Sequence, residues 1–506
     1  MTDRLHLDGQ SLTIAALEHA ANGGMQISLC PDGLSRMAES RALMMQAIAA
    51  DHPVYGVTTG LGARSGERVS EDALAAFSLE TIRGRAHAVG PDETIATVRA
   101  AMIVRLNTLL SGYSAASPAL AHHLLACLNA GLTPSVPAIG SVGAADLTWN
   151  ATLALGLIGE APLIGRTGIS GPGADMLRAH GIAPWQPGPR DGLAIVSHSC
   201  GVVARAARAL FAARRAFDVT QTAAALSMLA FQANLTPFLP QVLECSGHPD
   251  QKAAAAGILH FLQGSALAAG AEPRRLQDPL SLRNIPQIHG TVLAALRFAE
   301  GAVETDLNGC SDNPVALMQQ DEILSCGAYF TAHLTNALEL VARSFVHLTT
   351  AQVARMAKLL HPDFSGLPVF LTAPAATANG FAAVMKTAEA LLGEVMHEAQ
   401  PAAIWPSVNA NGVEDVLTSS PVAARALARI AALSLRLSAI ELMIAAQGVD
   451  LRGAAARPGP PLCGIMTMVR AISAPLVAAR PLGHEIEALA ERLATSEQVL
   501  PQGQMR

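Results

Sequence analysis

The 506 residues include only three tyrosines, and one stands in a glycine-rich loop, Tyr55-Gly56-Val57-Thr58-Thr59-Gly60-Leu61-Gly62. Glycine permits positive φ and tight loops, and such a loop can close over a ligand. A phenol ionises near pH 10; neighbouring cations or donated hydrogen bonds favour the phenolate, which is a base. Arg283 follows Gln277-Asp278-Pro279 closely, and its guanidinium fork matches the two oxygens of a substrate carboxylate. Glu414 can accept a hydrogen bond from a ring N–H or face a leaving cation. Tyr329-Phe330 is either a core aromatic pair or a surface for a quaternary ammonium, a contact worth about 0.5–2 kcal/mol. Lys386 interrupts an apolar stretch, either as a surface residue with a buried stem or as a buried functional cation.

These residues lie between long periodic segments. Ala- and Leu-rich stretches with few β-branched runs favour helix. Helical patterns run over about 71–130, 201–232, 287–305, 331–360, 376–400 and 421–447. Pro134 and Pro137 end the first run. The loop Gly140-Ser141-Val142-Gly143-Ala144-Ala145-Asp146-Leu147 follows, with Asp146 as the expected N-cap of the next helix. A Pro/Gly-rich stretch, 181–192, reads as a linker or surface excursion. Polar clusters fall at 277–287, 306–314, 363–368 and 405–415, between the helices. The expected fold is mainly α, a long-helix bundle whose site is assembled from loops. The whole chain, 1–506, reads as one unit of function, with approximate subregions 1–190 and 191–506.

Composition narrows the class. Hydrophobic residues make up 51% and charged residues 15%, enough for a large aliphatic core. The net charge of −6, with no basic run, argues against a nucleic-acid partner. No stretch gives about 18 uninterrupted apolar residues, and the first residues lack a signal-peptide core, so no membrane span is expected. Seven scattered cysteines without a CxxC pair suit a reducing cytoplasm. His122-His123 are adjacent and do not share a helix face, so metal binding is not expected there. No nucleotide or flavin fingerprint is present.

Eight segments, in order from about 53 to 420, resemble the aromatic amino acid ammonia-lyases, the family of histidine and phenylalanine ammonia-lyase. The Tyr55 loop resembles YGxNTG. Arg105-Leu106-Asn107 with Gly112 and Ser114 resembles RxNxLxxGxSG. Gly192-Leu193-Ala194-Ile195 resembles the start of GLALINGT, then departs as Val196-Ser197-His198-Ser199. Residues 277–283 resemble QDPYSLR, with Leu280 in place of its tyrosine. Asn308 with Ser311-Asp312-Asn313-Pro314 matches NxxSDNP; Ser365-Gly366-Leu367-Pro368 matches SGLP; Glu414-Asp415 matches the QED element. The SDNP and SGLP segments read primarily as turn formers.

The eighth segment, 140–147, resembles GSVGASGDL with one residue missing. In the family, its Ala-Ser-Gly cyclises and dehydrates to the electrophile MIO (methylidene-imidazolone). Here Ala145 stands alone for Ser-Gly and has no hydroxyl to eliminate. No MIO and no other cofactor is therefore expected. The resemblance implies that Tyr55 is the base of a β-elimination, that Arg283 and Glu414 belong to the site, and that the chain forms a homotetramer with sites shared between chains. A quaternary trimethylammonium has no lone pair to attack an electrophile and departs as a neutral amine. The deletion thus points to a betaine substrate, as in the MIO-less ergothioneine-cleaving branch. Hercynine, a non-catalytic ligand-binding paralogue and an ordinary histidine ammonia-lyase are the alternatives. Ser197 replaces the asparagine of LING, and Tyr329-Phe330 falls in the family's GNFHG stretch. Arg85, where the histidine enzymes carry a Ser-His pair, could pair with a thione or thiolate (His87 is the alternative). Asn313 completes the expected substrate-binding set, with Lys386 a candidate for the sulfur or for Tyr55.

Overall fold

Helices dominate the computed structural model, which describes residues 4–372, 379–402 and 409–499. The five long predicted helices are Cys200–Phe231, Ile285–Asn308, Ala332–Leu359, Val384–Glu398 and Ser420–Arg452. The run predicted over 71–130 is broken. It contains helices Leu74–Arg83, Ile95–Leu109 and Pro118–Ala130, with a short strand, Val89–Asp92, between the first two. Gly90 at φ 92° and Pro91, which lacks an N–H, stop helix there. That strand pairs antiparallel with Pro137–Ile139.

The chain forms two compact units interleaved in sequence. The first comprises Met1–Phe211, Glu300–Asn336 and Pro401–Arg425; the second comprises Ala212–Ala299, Ala337–Gln400 and Ala426–Arg506. In the first unit, Ile95–Leu109 is buried at every position from Thr97 onward. A helix buried all round must pair its polar side chains internally. Arg105 does so with Asp312, through Nη1–Oδ2 at 2.8 Å and Nη2–Oδ1 at 2.9 Å. Asn107 accepts from Gly9 N–H at 2.9 Å and donates to the Leu307 carbonyl at 2.9 Å. Thr94 caps the helix by accepting from Thr97 N–H. The smaller strands fasten the periphery, such as Arg4–Leu7, parallel to Gln26–Leu29.

The stretch 181–192 is no free linker. It belongs to the first unit, and it ends in Arg190 and Asp191, each 2% exposed. In the second unit the long helices pack around one aliphatic core that includes Leu226, Met356, Leu437 and Ile440. A buried ion pair crosses it. Arg355 donates to Glu441 at 2.8 and 3.1 Å, and Ser227 donates to the same carboxylate at 2.8 Å. One helical stretch, Asp191–Phe231, is long and apolar enough to cross a membrane by composition, but 94% of its apolar window is buried inside the fold.

Candidate active site

A cavity of about 280 Å³ opens in the first unit. Tyr55, Arg85, Ala145, Ser197, Asn313, Tyr329 and Glu414 are among the residues lining it. They come from seven separate segments, so each position needs its own support. The Tyr55 loop is pinned by Thr58, whose hydroxyl accepts from Val54 N–H at 2.8 Å and donates to the His52 carbonyl at 2.6 Å. Its far end returns to the phenol: Gly62 N–H donates to Tyr55 Oη at 3.1 Å. Gly62 sits at φ 56°, a conformation open to glycine at little cost. The oxygen keeps a second acceptor position besides this bond.

Arg85 follows the helix Leu74–Arg83 and its Gly84 cap. Its guanidinium is half-buried, and its one hydrogen bond among the described residues is a long one, 3.4 Å to the Thr81 carbonyl. Burial pushes its pKa down, while Tyr55 and then Glu414 oppose that shift. Glu414 closes a tight turn with Asn409, exchanging backbone bonds of 2.9 and 3.2 Å. Burial, with Tyr55 and Glu414 nearby, raises the pKa of Tyr329 and keeps it a neutral phenol.

The floor is the 140–147 loop. Ala145 and Asp146 both adopt the left-handed region, at φ 66° and 46°. Asp146 does occupy the N-cap position of Leu147–Leu157, but it makes no capping bond to that helix. Its carboxylate turns instead to the next long helix, accepting from Val202 N–H at 2.7 Å near the start of Cys200–Phe231. The Ser141 hydroxyl donates to its other oxygen. The Gly143 carbonyl accepts from Thr418 and Thr331 hydroxyls at 3.1 and 3.2 Å, and a side chain at Gly143 would collide with Thr418. Ala144 bridges the backbone of Phe330.

Behind the cavity lies a buried ionic network. Asp312 accepts from Arg105 twice, from Ser114 at 2.8 Å and from Arg190 at 3.2 Å. Arg190 also donates to the carbonyls of Ser114, Asn313 and Pro314, and Arg105 to that of Ala194. The network thus fixes both Asn313 and the short helix Asp191–Val196, which ends at Ser197. His198, the departure from the family pattern, is buried; its Nε2 contacts the Ile195 carbonyl at 2.9 Å and its Nδ1 accepts from Cys200 N–H. Burial and Arg105 drive its pKa well down, so it is a neutral brace for this turn.

The cavity brings together Tyr55, Arg85, Ser197, Asn313, Tyr329 and Glu414. Phe330, expected to share a cation surface with Tyr329, does not line it. It follows a turn closed by Phe330 N–H donating to the Gly327 carbonyl at 3.0 Å, and its backbone bridges to Ala144. Arg283 and Lys386 are also not among the lining residues; both belong to the second unit. Arg283 donates to Gln277 Oε1 at 3.0 Å, while its Nε is buried and has no hydrogen-bond partner among the described residues. Lys386 is exposed on Val384–Glu398 in the single chain. The Gly62 amide bond, the Asp146 cross-cap and the His198 brace were not expected from the sequence, because each depends on a partner that its own motif does not specify.

Residues 12–471 match the model of the aromatic amino acid lyase family. The chain belongs to this family. It is 33% identical over 500 residues to a histidine ammonia-lyase of Gloeobacter violaceus, covering 98% of this chain and 96% of that one. A histidine ammonia-lyase of Anaeromyxobacter is 32% identical over 497 residues, covering 96% and 98%. Among solved structures it is similar to ergothionase from Treponema denticola, crystallised with desmethyl-ergothioneine sulfonic acid (TM-score 0.93, 27% identity, 98% of this chain and 100% of that one). It is also similar to histidine ammonia-lyase from Trypanosoma cruzi (TM-score 0.90, 26% identity, 99% and 96%). The fold is thus that of the lyases, as expected from the motifs. The residues present do not fit the MIO group that the ammonia-lyases of the family make. Ala145 offers no hydroxyl, its carbonyl is held by His198 N–H and Asn150 Nδ2 at 3.2 Å each, and the Asp146 side chain is committed elsewhere.

Proposed function

We propose that this lyase eliminates trimethylamine from an aromatic betaine, with ergothioneine as the substrate and thiourocanate as the product. One observation carries the reading: Ala144 and Ala145 line the cavity in a loop whose Ala144-Ala145-Asp146 cannot form an electrophile, while Tyr55 and Glu414 line the same cavity. Tyr55 Oη, as the base, takes the Cβ proton. The C–H electron pair becomes the Cα=Cβ bond, the C–N bond breaks, and its pair leaves on neutral trimethylamine. A cation at every pH needs no further activation to depart. Tyr329 gives the cavity an aromatic wall for the ammonium. Glu414 accepts from the ring N–H.

The reading extends to assembly. In a homotetramer, Arg283 and Lys386 would reach a cavity from other copies, Arg283 to hold the carboxylate. The likeness to ergothionase supports this substrate class. The histidine ammonia-lyase relatives would favour histidine, but the chemistry of residues 144–146 opposes it. The test is incubation of pure protein with ergothioneine, following trimethylamine and the conjugated product. Release of ammonia from histidine, with betaines untouched, would overturn the proposal.

A further inference from the structure

Arg85 and Glu414 line the same cavity and feel each other's charge, yet they are not in ion-pair contact. Each is half-buried. Glu414 makes no side-chain hydrogen bond among the described residues, and Arg85 makes only the long one to Thr81. Unpaired charges of opposite sign, partly withdrawn from water, are costly unless something bridges them. One cavity is thus bordered by both a fork of donors and a pure acceptor. The ligand edge that complements it presents an acceptor and a donor side by side. A 2-thioimidazole has such an edge: the sulfur accepts from the guanidinium while the adjacent N–H donates to the carboxylate. An imidazole bearing only hydrogen at that carbon offers Glu414 its N–H and leaves Arg85 unmatched.

We infer that Arg85, acting together with Glu414, is the specificity-determining residue that selects a thione-bearing ring over a plain imidazole. This rests on the proposed elimination for its kinetic readout but not for its binding readout. It deepens that reading by assigning the residue that reads the sulfur. The carboxylate of the substrate is the competing anion for Arg85, and it is common to ergothioneine and hercynine, so a ratio between the two isolates the sulfur.

The experiment compares ergothioneine with hercynine on the wild type, Arg85→Gln and Arg85→Lys, by kcat/KM and by equilibrium binding, with circular dichroism as the check on folding. Loss of a hydrogen bond to a charged group predicts that Arg85→Gln weakens ergothioneine about ten- to a hundredfold more than hercynine. Arg85→Lys, which keeps charge without the fork, should fall between. An equal loss for both ligands assigns Arg85 to the carboxylate and overturns the inference, as does an unchanged ratio. Thione-selective binding that depends on Arg85, without any trimethylamine release, would support the inference while ending the proposed reaction.

Discussion

Replacing Asp312 by alanine tests whether the ionic network truly sets the back wall of the cavity. Asp312 receives bonds from Arg105 at 2.8 and 2.9 Å, from Ser114 at 2.8 Å and from Arg190 at 3.2 Å. Both arginine side chains are almost fully buried, at 2% and 0% exposure. Removing the carboxylate strands two cations in the interior. Breaking one buried pair costs about 3–5 kcal/mol, and the second cation brings the expected loss to roughly 5 kcal/mol or more. At about 2–4 °C per kcal/mol for a domain of this order of size, the thermal midpoint should drop by roughly 10–20 °C. Asp312→Asn keeps the shape and one acceptor and should lose about half as much. The pH dependence has a definite sign. Burial pushes the Asp312 carboxyl up, but Arg105 and Arg190 outweigh it, so its folded pKa lies below the ordinary value. Its stabilisation is therefore complete above the unfolded pKa and is lost as pH falls through the depressed one. Thermal unfolding of wild type and both variants between acid and neutral pH is the assay, with Asp175→Asn as an exposed-pair control worth about 0–1 kcal/mol. If Asp312→Asn melts with the control and keeps the wild-type acid limb, the network is not what holds this wall.

Tyr55→Phe should cut turnover by about 10²–10⁴-fold, the usual worth of a general base, while ergothioneine still binds; normal turnover would remove Tyr55 from the mechanism. Ala145→Ser should restore neither the near-ultraviolet band of a conjugated electrophile nor ammonia release from histidine, because the loop still lacks a residue and Asp146 follows; absorbance scans and an ammonia assay check both. Burial raises the Asp146 pKa more than Ser141, Val202 and Arg205 lower it. The stability it lends is thus present below its unfolded pKa and lost as pH rises through the folded one. Asp146→Asn, which keeps an acceptor for Val202 N–H, should gain on the wild type as pH rises from about 4 to 7; parallel denaturation curves across that range would count against the buried cross-cap.

The helices were legible because a 3.6-residue apolar rhythm over twenty or more residues has few other solutions. The site was legible where a motif kept its residue, as at Tyr55 and Glu414, and where it lost one, at Ala145. Asp146 was harder. Its place before a helix suggests a cap of that helix, but the side chain serves another that begins 54 residues later, by numbers 146 and 200. Local order in the chain cannot reveal such a partner. Asp312 read as a turn former, because SDNP has turn composition; its part as a fourfold acceptor depends on Arg105 and Arg190, far away in sequence. The 71–130 run failed at Gly90-Pro91, where two backbone effects outweigh flanking helix propensity. Arg283 and Lys386 do not line the cavity of the single chain, and neither the fork of one nor the charge of the other in sequence specifies what it faces.

The bond from Gly62 to the Tyr55 oxygen is made by main chain alone. Substitution scans that trim side chains one at a time would pass over it. Only removing the amide hydrogen itself, by an ester linkage or an N-methylated unit introduced through semisynthesis, would silence it. A tool aimed at the backbone is what this pocket asks for.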